Sequence, residues 1–323
     1  MKFLTFSSAP GGALRPGVLS ADGLRVIPLD REPFGCADMN AVIERCSVDE
    51  TFAAQLRSVA AQAGAAAQGG VAADGLADGP ADGSPEYECF ARADVCGAAV
   101  IPRPRGDVIC LGVNFAAHAE ESARFKGILR GGDDGTRPYP VYFSKRVREA
   151  VADGAAIPAY EGYVTQLDYE VELAVIIGRP ARNVPREKAF EHVFGYTILN
   201  DVSARNLQKR HGQWFLGKSL DGFCPLGPVI VTEDEFRRPP HLSLTSRVNG
   251  EVRQHSSTDL MLFDIAYVIE DLSRGMTLES GTIISMGTPA GVGMGFNPPR
   301  FMKKGDIVEC EIEGIGVLKN IVE

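Results

Sequence analysis

The feature that most constrains the fold is an apolar stretch, residues 167–178, that contains two glutamates. Aliphatic and β-branched residues dominate it and Pro180 follows it, so it predicts a β-strand. Residues two apart on a strand point to the same face, so Glu170 and Glu172 lie side by side. Adjacent buried carboxylates are costly without a positive charge between them, and a divalent cation with oxygen ligands meets that need. A solvated acidic face on an edge strand is the alternative, and this strand alone leaves both open.

A second apolar stretch, residues 193–200, favours the metal interpretation. Asp201 follows this predicted strand, and Asp201, Arg205 and Gln208 then share one face of a predicted helix. The aspartate adds a third carboxylate to the two glutamates, with a cation and an amide beside it. Three carboxylates with open positions for water or substrate are typical of a magnesium, manganese or calcium site.

Composition limits the class of protein and its partners. The 323 residues suffice for one large or two smaller domains, and a net charge of -9 argues against nucleic acid and anionic membranes as partners. It does not argue against an anionic substrate, because basic residues can cluster locally. The seven cysteines form no CxxC pair and no signal peptide is visible, which predicts a cytoplasmic protein with reduced thiols. No apolar run is long enough to span a bilayer.

Two domains are predicted. Residues 1–104 contain short strands and a helical region, which together favour a small N-terminal α/β domain. Within it, residues 60–86 are rich in alanine, glycine and aspartate and predict a mobile linker with little apolar surface. Residues 105–323 form the second, larger domain.

Further candidates for catalysis lie in the larger domain. His118 and Glu121 are three residues apart on a predicted helix, and a histidine oriented by a carboxylate is a general-base arrangement. An incidental surface pair is the alternative. Lys218 lies in an apolar, glycine-containing stretch, where a buried lysine needs a partner; a surface ion pair is the alternative. Residues 122–140 are polar and are a candidate lid. The loop at 287–293 offers approachable backbone amides but matches neither Walker nor Rossmann glycine spacing.

Taken together and in this order, the motifs of the larger domain resemble those of the fumarylacetoacetate hydrolase superfamily, in particular its 2-hydroxyhepta-2,4-diene-1,7-dioate isomerase and acylpyruvase branch. The segments that carry the resemblance are residues 111–118, 168–172, 200–208, 217–221, 287–293 and 305–316. The resemblance covers roughly residues 105–323. It implies an α+β, mostly β fold, a mixed β-roll or incomplete barrel, and a homodimer.

The resemblance also implies a cofactor and an activity. Mg²⁺, with Mn²⁺ or Ca²⁺ as alternatives, is expected on Glu170, Glu172 and Asp201. The expected reaction is hydrolysis of a C–C bond in a small anionic 2-oxo or enolic acid of the acylpyruvate type. The alternatives are isomerisation of 5-carboxymethyl-2-hydroxymuconate or 2-hydroxyhepta-2,4-diene-1,7-dioate, and decarboxylation of an oxaloacetate-type acid. A metal-binding protein without catalysis is the non-enzyme alternative.

The remaining roles follow from the resemblance and the chemistry of the side chains. His118, oriented by Glu121, is expected to activate water or to move a proton. Lys218 and Arg205 would place positive charge near a developing oxyanion, and Gln208 would donate a hydrogen bond to it. The residues expected to contact the substrate are Gly287, Thr288 and Lys145. The family often has Lys-Pro where this chain has Lys145-Arg146, which leaves the role of this lysine open.

Overall fold

Three sheets, six α-helices and several short 3₁₀ helices make up the secondary structure of residues 1–68, 87–123 and 139–323, which the computed structural model describes. The strands are β1 (Lys2–Ser7), β2 (Arg15–Leu19), β3 (Arg25–Pro28), β4 (Phe90–Ala91), β5 (Cys96–Gly97), β6 (Val108–Gly112), β7 (Val141–Lys145), β8 (Ala156–Ile157), β9 (Leu167–Asp168), β10 (Val171–Ile177), β11 (Val193–Asn200), β12 (Ser203–Ala204), β13 (Leu226–Thr232), β14 (Ser243–Val248), β15 (Glu251–Ser257), β16 (Ile283–Ser285), β17 (Ile307–Ile312) and β18 (Gly316–Val322). The helices are α1 (Met39–Val48), α2 (Glu50–Gln68), α3 (Ala116–Ala123), α4 (Arg205–His211), α5 (Phe215–Lys218) and α6 (Ile265–Gly275).

The largest sheet is organised around β10. Its strand order is β4-β3-β2-β1-β13-β11-β10-β16-β6-β7, and β5 pairs with β1. All seven residues of β10 are buried, which explains why apolar residues occupy both of its faces. Strand β11 pairs with β10 in antiparallel register and β16 pairs with its other edge, whereas β16 and β6 run parallel. The ends of several strands therefore meet where β10 begins.

A second sheet covers one face of the first. Its strand order is β15-β14-β17-β18-β8, and β9 and β12 form a separate two-stranded ribbon. Leu173 and Val175 of β10 belong to the same buried hydrophobic cluster as Leu244, Ile312 and Leu318 of the second sheet. More of the described residues lie in strands than in helices, and the sheets they form are open and do not close into a barrel. The predicted α+β, mostly β class is therefore confirmed.

The N-terminal strands continue the large sheet, because β1 pairs with β13. The domain boundary near residue 104 stays a prediction.

The linker prediction is wrong for residues 60–68, which form the last turns of α2. Alanine, which dominates this segment, has the highest helix propensity, and Leu56, Val59 and Ala60 bury one face of the helix. The rest of the predicted linker, residues 69–86, lies outside the described residues.

Two further sequence predictions concern the lid and the membrane. Residues 124–138, which make up most of the candidate lid, lie outside the described residues. In the part of the chain that is described, no helix combines the length and the apolar character needed to cross a bilayer.

Candidate active site

Three buried carboxylates converge at the start of β10. One oxygen each of Glu170, Glu172 and Asp201 lies within 4.8 Å of the others. The strand register explains the meeting, because Val171 pairs with Asn200, which places the residue after β11 beside the first residues of β10. The structure therefore brings together the three ligands predicted from the sequence.

Two cations hold these carboxylates in place. Lys218 Nζ lies 2.5 Å from Glu170 Oε2 and 2.6 Å from Asp201 Oδ2, so it bridges the two residues. Arg205 Nη2 donates to Glu170 Oε1 at 2.6 Å, and its Nε donates to Asp168 Oδ2 at 2.8 Å. Both predicted cations thus lie in the site, and each is paired with two carboxylates.

Lys145 contacts Asp201 and is completely buried. Its Nζ donates to Asp201 Oδ1 at 2.7 Å, to the Lys218 carbonyl oxygen at 2.6 Å and to the Val202 carbonyl oxygen at 3.2 Å. An ammonium group has three protons, so in this arrangement protein acceptors use all of them. The geometry gives Lys145 a supporting role beside Asp201, and its predicted contact with substrate stays a prediction.

The two glutamates have opposite electrostatic environments. Burial alone would raise the pKa of Glu170, but the charges of Lys218 and Arg205 outweigh it and hold that pKa below its usual range. For Glu172, burial raises the pKa well above the usual range, and the neighbouring charges of Asp201 and Glu170 raise it further. Of the two glutamates, Glu172 is therefore the one whose ionised form the surrounding protein opposes.

The donor set fits a divalent cation. When all four are ionised, Asp168, Glu170, Glu172 and Asp201 carry four negative charges, against three positive charges on Arg205, Lys145 and Lys218. Within the described part of the chain no ion pair reaches Glu172; its Oε2 accepts hydrogen bonds from Ser285 Oγ at 2.6 Å and the Gly287 amide at 3.0 Å. Oxygen donors and a net negative charge are what Mg²⁺, Mn²⁺ and Ca²⁺ prefer.

A histidine–carboxylate pair lies at the same site. His118 Nδ1 and Glu121 Oε2 are 2.9 Å apart on α3. The Gly291 amide donates to Glu121 Oε1 at 3.1 Å, and a Cβ atom at position 295 would overlap the Glu121 carboxylate, so Gly295 leaves room for it. The glycine-rich loop thus orients the carboxylate that orients the imidazole, as in a general acid–base pair.

His118 faces a cavity of about 30 Å³ that Glu170 and Glu172 also line. The residues lining it are Leu111, Gly112, Val113, His118, Phe143, Glu170, Glu172, Arg205, Gln208, Trp214, Lys218, Thr288 and Met294. The lining of the cavity thus combines charged and apolar side chains, as ligand sites in proteins commonly do.

Other predicted site residues are engaged with the protein itself. Gln208 Oε1 accepts from Arg205 Nη1 at 3.1 Å. The Thr288 hydroxyl donates its proton to the Val171 carbonyl at 3.0 Å, and the Gly287 amide donates to Glu172. A substrate carboxylate would have to compete for these donors, so substrate binding by Gly287 and Thr288 stays a prediction.

Two residues support the site although the sequence pattern assigned them no role. Asp168 accepts from Arg205 Nε and from the amides of Gly293 at 2.6 Å and Met294 at 3.0 Å. Its position two residues before Glu170 was a usable signal, since it extends the alternation of carboxylates. Gln254 donates to Thr288 Oγ1 at 2.7 Å, and no local pattern in the sequence indicates this contact.

The cavity wall also contains strained backbone. Val113 has a φ of 57°, a left-handed conformation that β-branched residues rarely adopt. The next residue, Asn114, holds it: its Nδ2 donates to the carbonyls of Phe263 and Met286, and its Oδ1 accepts from the Phe263 amide. Strain that neighbouring contacts maintain in this way clusters at functional sites.

Comparison with known proteins places this site in a family. Residues 107–323, two thirds of the chain, match the family described as fumarylacetoacetate (FAA) hydrolase, C-terminal. The chain belongs to this family. Members generally bind a divalent metal, and the buried trio of Glu170, Glu172 and Asp201 could hold one.

Individual relatives of the fumarylacetoacetate hydrolase family differ in their reactions. The chain is 46% identical over 222 residues to the oxaloacetate tautomerase YisK of Bacillus subtilis (strain 168), covering 69% of this chain and 71% of that protein. It resembles the structure of a fumarylacetoacetate hydrolase from the psychrophile Exiguobacterium antarcticum, with 38% identity, a TM-score of 0.76 and coverage of 100% and 99% of the two chains. A 2-hydroxyhepta-2,4-diene-1,7-dioate isomerase from Mycobacterium marinum matches with 30% identity, a TM-score of 0.65 and coverage of 100% and 98%. The predicted superfamily is confirmed.

Proposed function

We propose that this protein is an enzyme that moves a proton on a small anionic 2-oxo acid and so interconverts its keto and enol forms. The observation that carries the proposal is that His118, oriented by Glu121, lines the same cavity as the carboxylates of Glu170 and Glu172. The tautomerase and isomerase among the similar proteins support proton transfer as the reaction class.

The proposed cofactor is Mg²⁺, with Mn²⁺ or Ca²⁺ as substitutes. Glu170, Glu172 and Asp201 would hold it, and when bound it would supply a Lewis acid that stabilises negative charge on substrate oxygens. Lys218 and Arg205 lower the pKa of Glu170, Lys218 also pairs with Asp201, and both cations add positive charge to the cavity. Ionised oxygens facing one point are the arrangement that a hard cation requires.

His118 would perform the proton transfer. Because Nδ1–H is donated to the Glu121 carboxylate, Nε2 is the basic atom of the neutral imidazole. Nε2 would take a proton from C3 of the keto acid, the C3–H electron pair would form the C2–C3 double bond, and the carbonyl pair would move to oxygen. Return of that proton to the oxygen gives the enol. Glu121 would stabilise the imidazolium between the two transfers.

Hydrolysis of a C–C bond in an acylpyruvate-type acid is the second candidate. The match to a fumarylacetoacetate hydrolase over the whole chain favours it. In that case His118 would deprotonate a water molecule that attacks the acyl carbonyl carbon. The enolate released as the C–C bond breaks would then take up the proton. We further propose, from the family resemblance, a cytoplasmic homodimer.

A panel assay with Mg²⁺ tests the proposal. The substrates are oxaloacetate, acetylpyruvate, fumarylpyruvate and 5-carboxymethyl-2-hydroxymuconate, each followed by the ultraviolet absorbance of the enol and by product mass. An altered spectrum with unchanged mass supports proton transfer, cleavage products support the hydrolase, and carbon dioxide would indicate a decarboxylase. Absence of turnover with all four would overturn the proposal and favour a non-catalytic metal-binding protein.

A matched pair of variants makes this assay specific for the site. His118→Gln should lower turnover by about 10²–10⁴-fold, the usual contribution of a positioned general base. His241 also pairs with a carboxylate, that of Asp259, but does not line the cavity. His241→Gln should therefore leave turnover unchanged. Equal activity of both variants would remove His118 from the mechanism.

A further inference from the structure

The cavity has an aromatic side that the proposed chemistry does not use. Trp214 and Phe143 both line it, with ring centroids 5.1 Å apart and ring planes at 76°, an edge-to-face contact. Lys218 Nζ lies 5.2 Å from the centre of the Phe143 ring. Phe143 therefore lies next to both the indole of Trp214 and the ammonium group of Lys218.

The position of Trp214 is fixed by two features of the backbone. Strand β6 ends at Gly112, where an added Cβ atom would overlap Cζ3 and Cη2 of the indole, so only glycine admits the ring at this depth. The Lys218 amide donates to the Trp214 carbonyl oxygen at 3.1 Å, one helical turn away. The indole is thus held at a set distance from the lysine that bridges the carboxylates.

We propose that Trp214 is a specificity-determining residue that bounds the substituent on C3 of the 2-oxo acid. The inference rests on the proposed function, because the carboxylates fix which end of the substrate lies at the charged side. The opposite end would then meet the indole, Phe143, Leu111 and Met294, which all line a cavity of about 30 Å³.

The substrate class that follows is a 2-oxo acid whose substituent on C3 is short. Trp214 and its apolar neighbours offer dispersion contacts to that substituent. Arg205 and Lys218, the two cations lining the described cavity, are already paired with carboxylates. An apolar pocket of fixed size discriminates by about 10–200-fold per methylene group that does not fit.

A binding series tests the inference without requiring turnover. Calorimetry would compare 2-oxobutanoate with 2-oxooctanoate, each added to Mg²⁺-loaded protein, with oxalate as a ligand that has no substituent. Wild type should bind 2-oxobutanoate more tightly than 2-oxooctanoate. Trp214→Ala should shift the ratio of the two dissociation constants by at least about tenfold toward the longer acid. Phe215→Ala is the matched control, because Phe215 is the next residue, is 47% exposed and does not line the cavity.

Fluorescence gives a second readout, since Trp214 is the single tryptophan of the chain. Binding of 2-oxobutanoate should change the tryptophan emission with the midpoint found by calorimetry. Trp214→Phe keeps an aromatic ring, so its ratio of dissociation constants should lie between those of wild type and Trp214→Ala. This variant replaces Trp214→Ala in the test if the alanine variant does not fold. The inference would be overturned if the ratio of the two dissociation constants were unchanged in both Trp214 variants. It would also be overturned if 2-oxobutanoate bound without a change in tryptophan emission. In either case, binding of oxalate would leave the proposed function intact. Failure of oxalate and 2-oxobutanoate alike to bind would overturn the proposed function and this inference with it.

Discussion

Replacing Glu172 with glutamine changes the charge of the carboxylate cluster with almost no change in shape. In metal-free protein, Glu172 lies within 4.8 Å of ligand oxygens of Glu170 and Asp201. Two unit charges at about 5 Å repel by about 3 kcal/mol at an effective dielectric constant of about 20. A glutamine oxygen can still accept the hydrogen bonds of Ser285 and Gly287. We therefore expect Glu172→Gln to raise the free energy of unfolding by about 1–3 kcal/mol in the absence of metal.

The pH dependence of this gain has a defined sign. Burial and the charges of its neighbours raise the folded-state pKa of Glu172 above its unfolded value of about 4.3. A carboxyl group shifted in this direction destabilises the wild-type fold increasingly as pH rises from the unfolded pKa to the folded one. The advantage of the variant should therefore be absent near pH 4 and should grow toward neutral pH.

Thermal unfolding followed by circular dichroism measures both effects. With a chelator present, the melting temperature of Glu172→Gln should exceed that of wild type by about 2–6 °C. Added Mg²⁺ should raise the melting temperature of wild type and leave the variant unchanged, because a ligand that binds only the folded state stabilises it. Glu279→Gln, an exposed position outside the cluster, is the control. A lower melting temperature for chelated Glu172→Gln than for wild type would refute the reasoning that ionisation of Glu172 destabilises the metal-free fold.

Three further predictions test other parts of the site and fold. Glu121→Gln should lower kcat by roughly 10²-fold with KM nearly unchanged, because an amide stabilises the His118 imidazolium less well; steady-state kinetics with the substrate found in the panel checks this. Lys145→Met should reduce the free energy of unfolding by about 3 kcal/mol in urea titrations, since it leaves a buried oxygen of Asp201 without its cation; an unchanged value would contradict the supporting role. Burial raises the pKa of the Cys46 thiol to about 12, so Cys46 should stay unmodified by iodoacetamide at pH 8 in mass mapping of folded protein, and rapid labelling there would contradict its burial.

The local pattern of the sequence predicted that the carboxylates of Glu170, Glu172 and Asp201 lie together, and they do. Alternation on a strand places Glu170 and Glu172 on one face whatever the tertiary fold, and the strand-then-helix pattern around Asp201 needed only one strand pairing to join them. The i, i+3 spacing of His118 and Glu121 likewise defines a contact within one helix.

The local sequence pattern could not predict contacts that depend on tertiary structure. Lys145 is the last residue of β7, and only the packing of α5 and the end of β11 surrounds it with acceptors. The indole of Trp214 lies against Gly112, about a hundred residues earlier, a contact that no periodicity encodes. In residues 60–68 a disorder-like composition competed with the helix propensity of alanine, and packing of the preceding turns decided in favour of the helix.

The most direct test of the account is a calorimetric titration of chelated protein with Mg²⁺ in the presence of oxalate, a two-oxygen analogue of the 2-oxo acid. We expect one Mg²⁺ per chain to bind to wild type and to His118→Gln, because His118 is assigned to proton transfer and not to the metal. Binding should be lost in Glu172→Gln and in Asp201→Asn, which each remove a charged ligand. Wild type that binds no Mg²⁺, or Glu172→Gln and Asp201→Asn variants that bind it as wild type does, would contradict the assignment of this carboxylate trio as the metal centre.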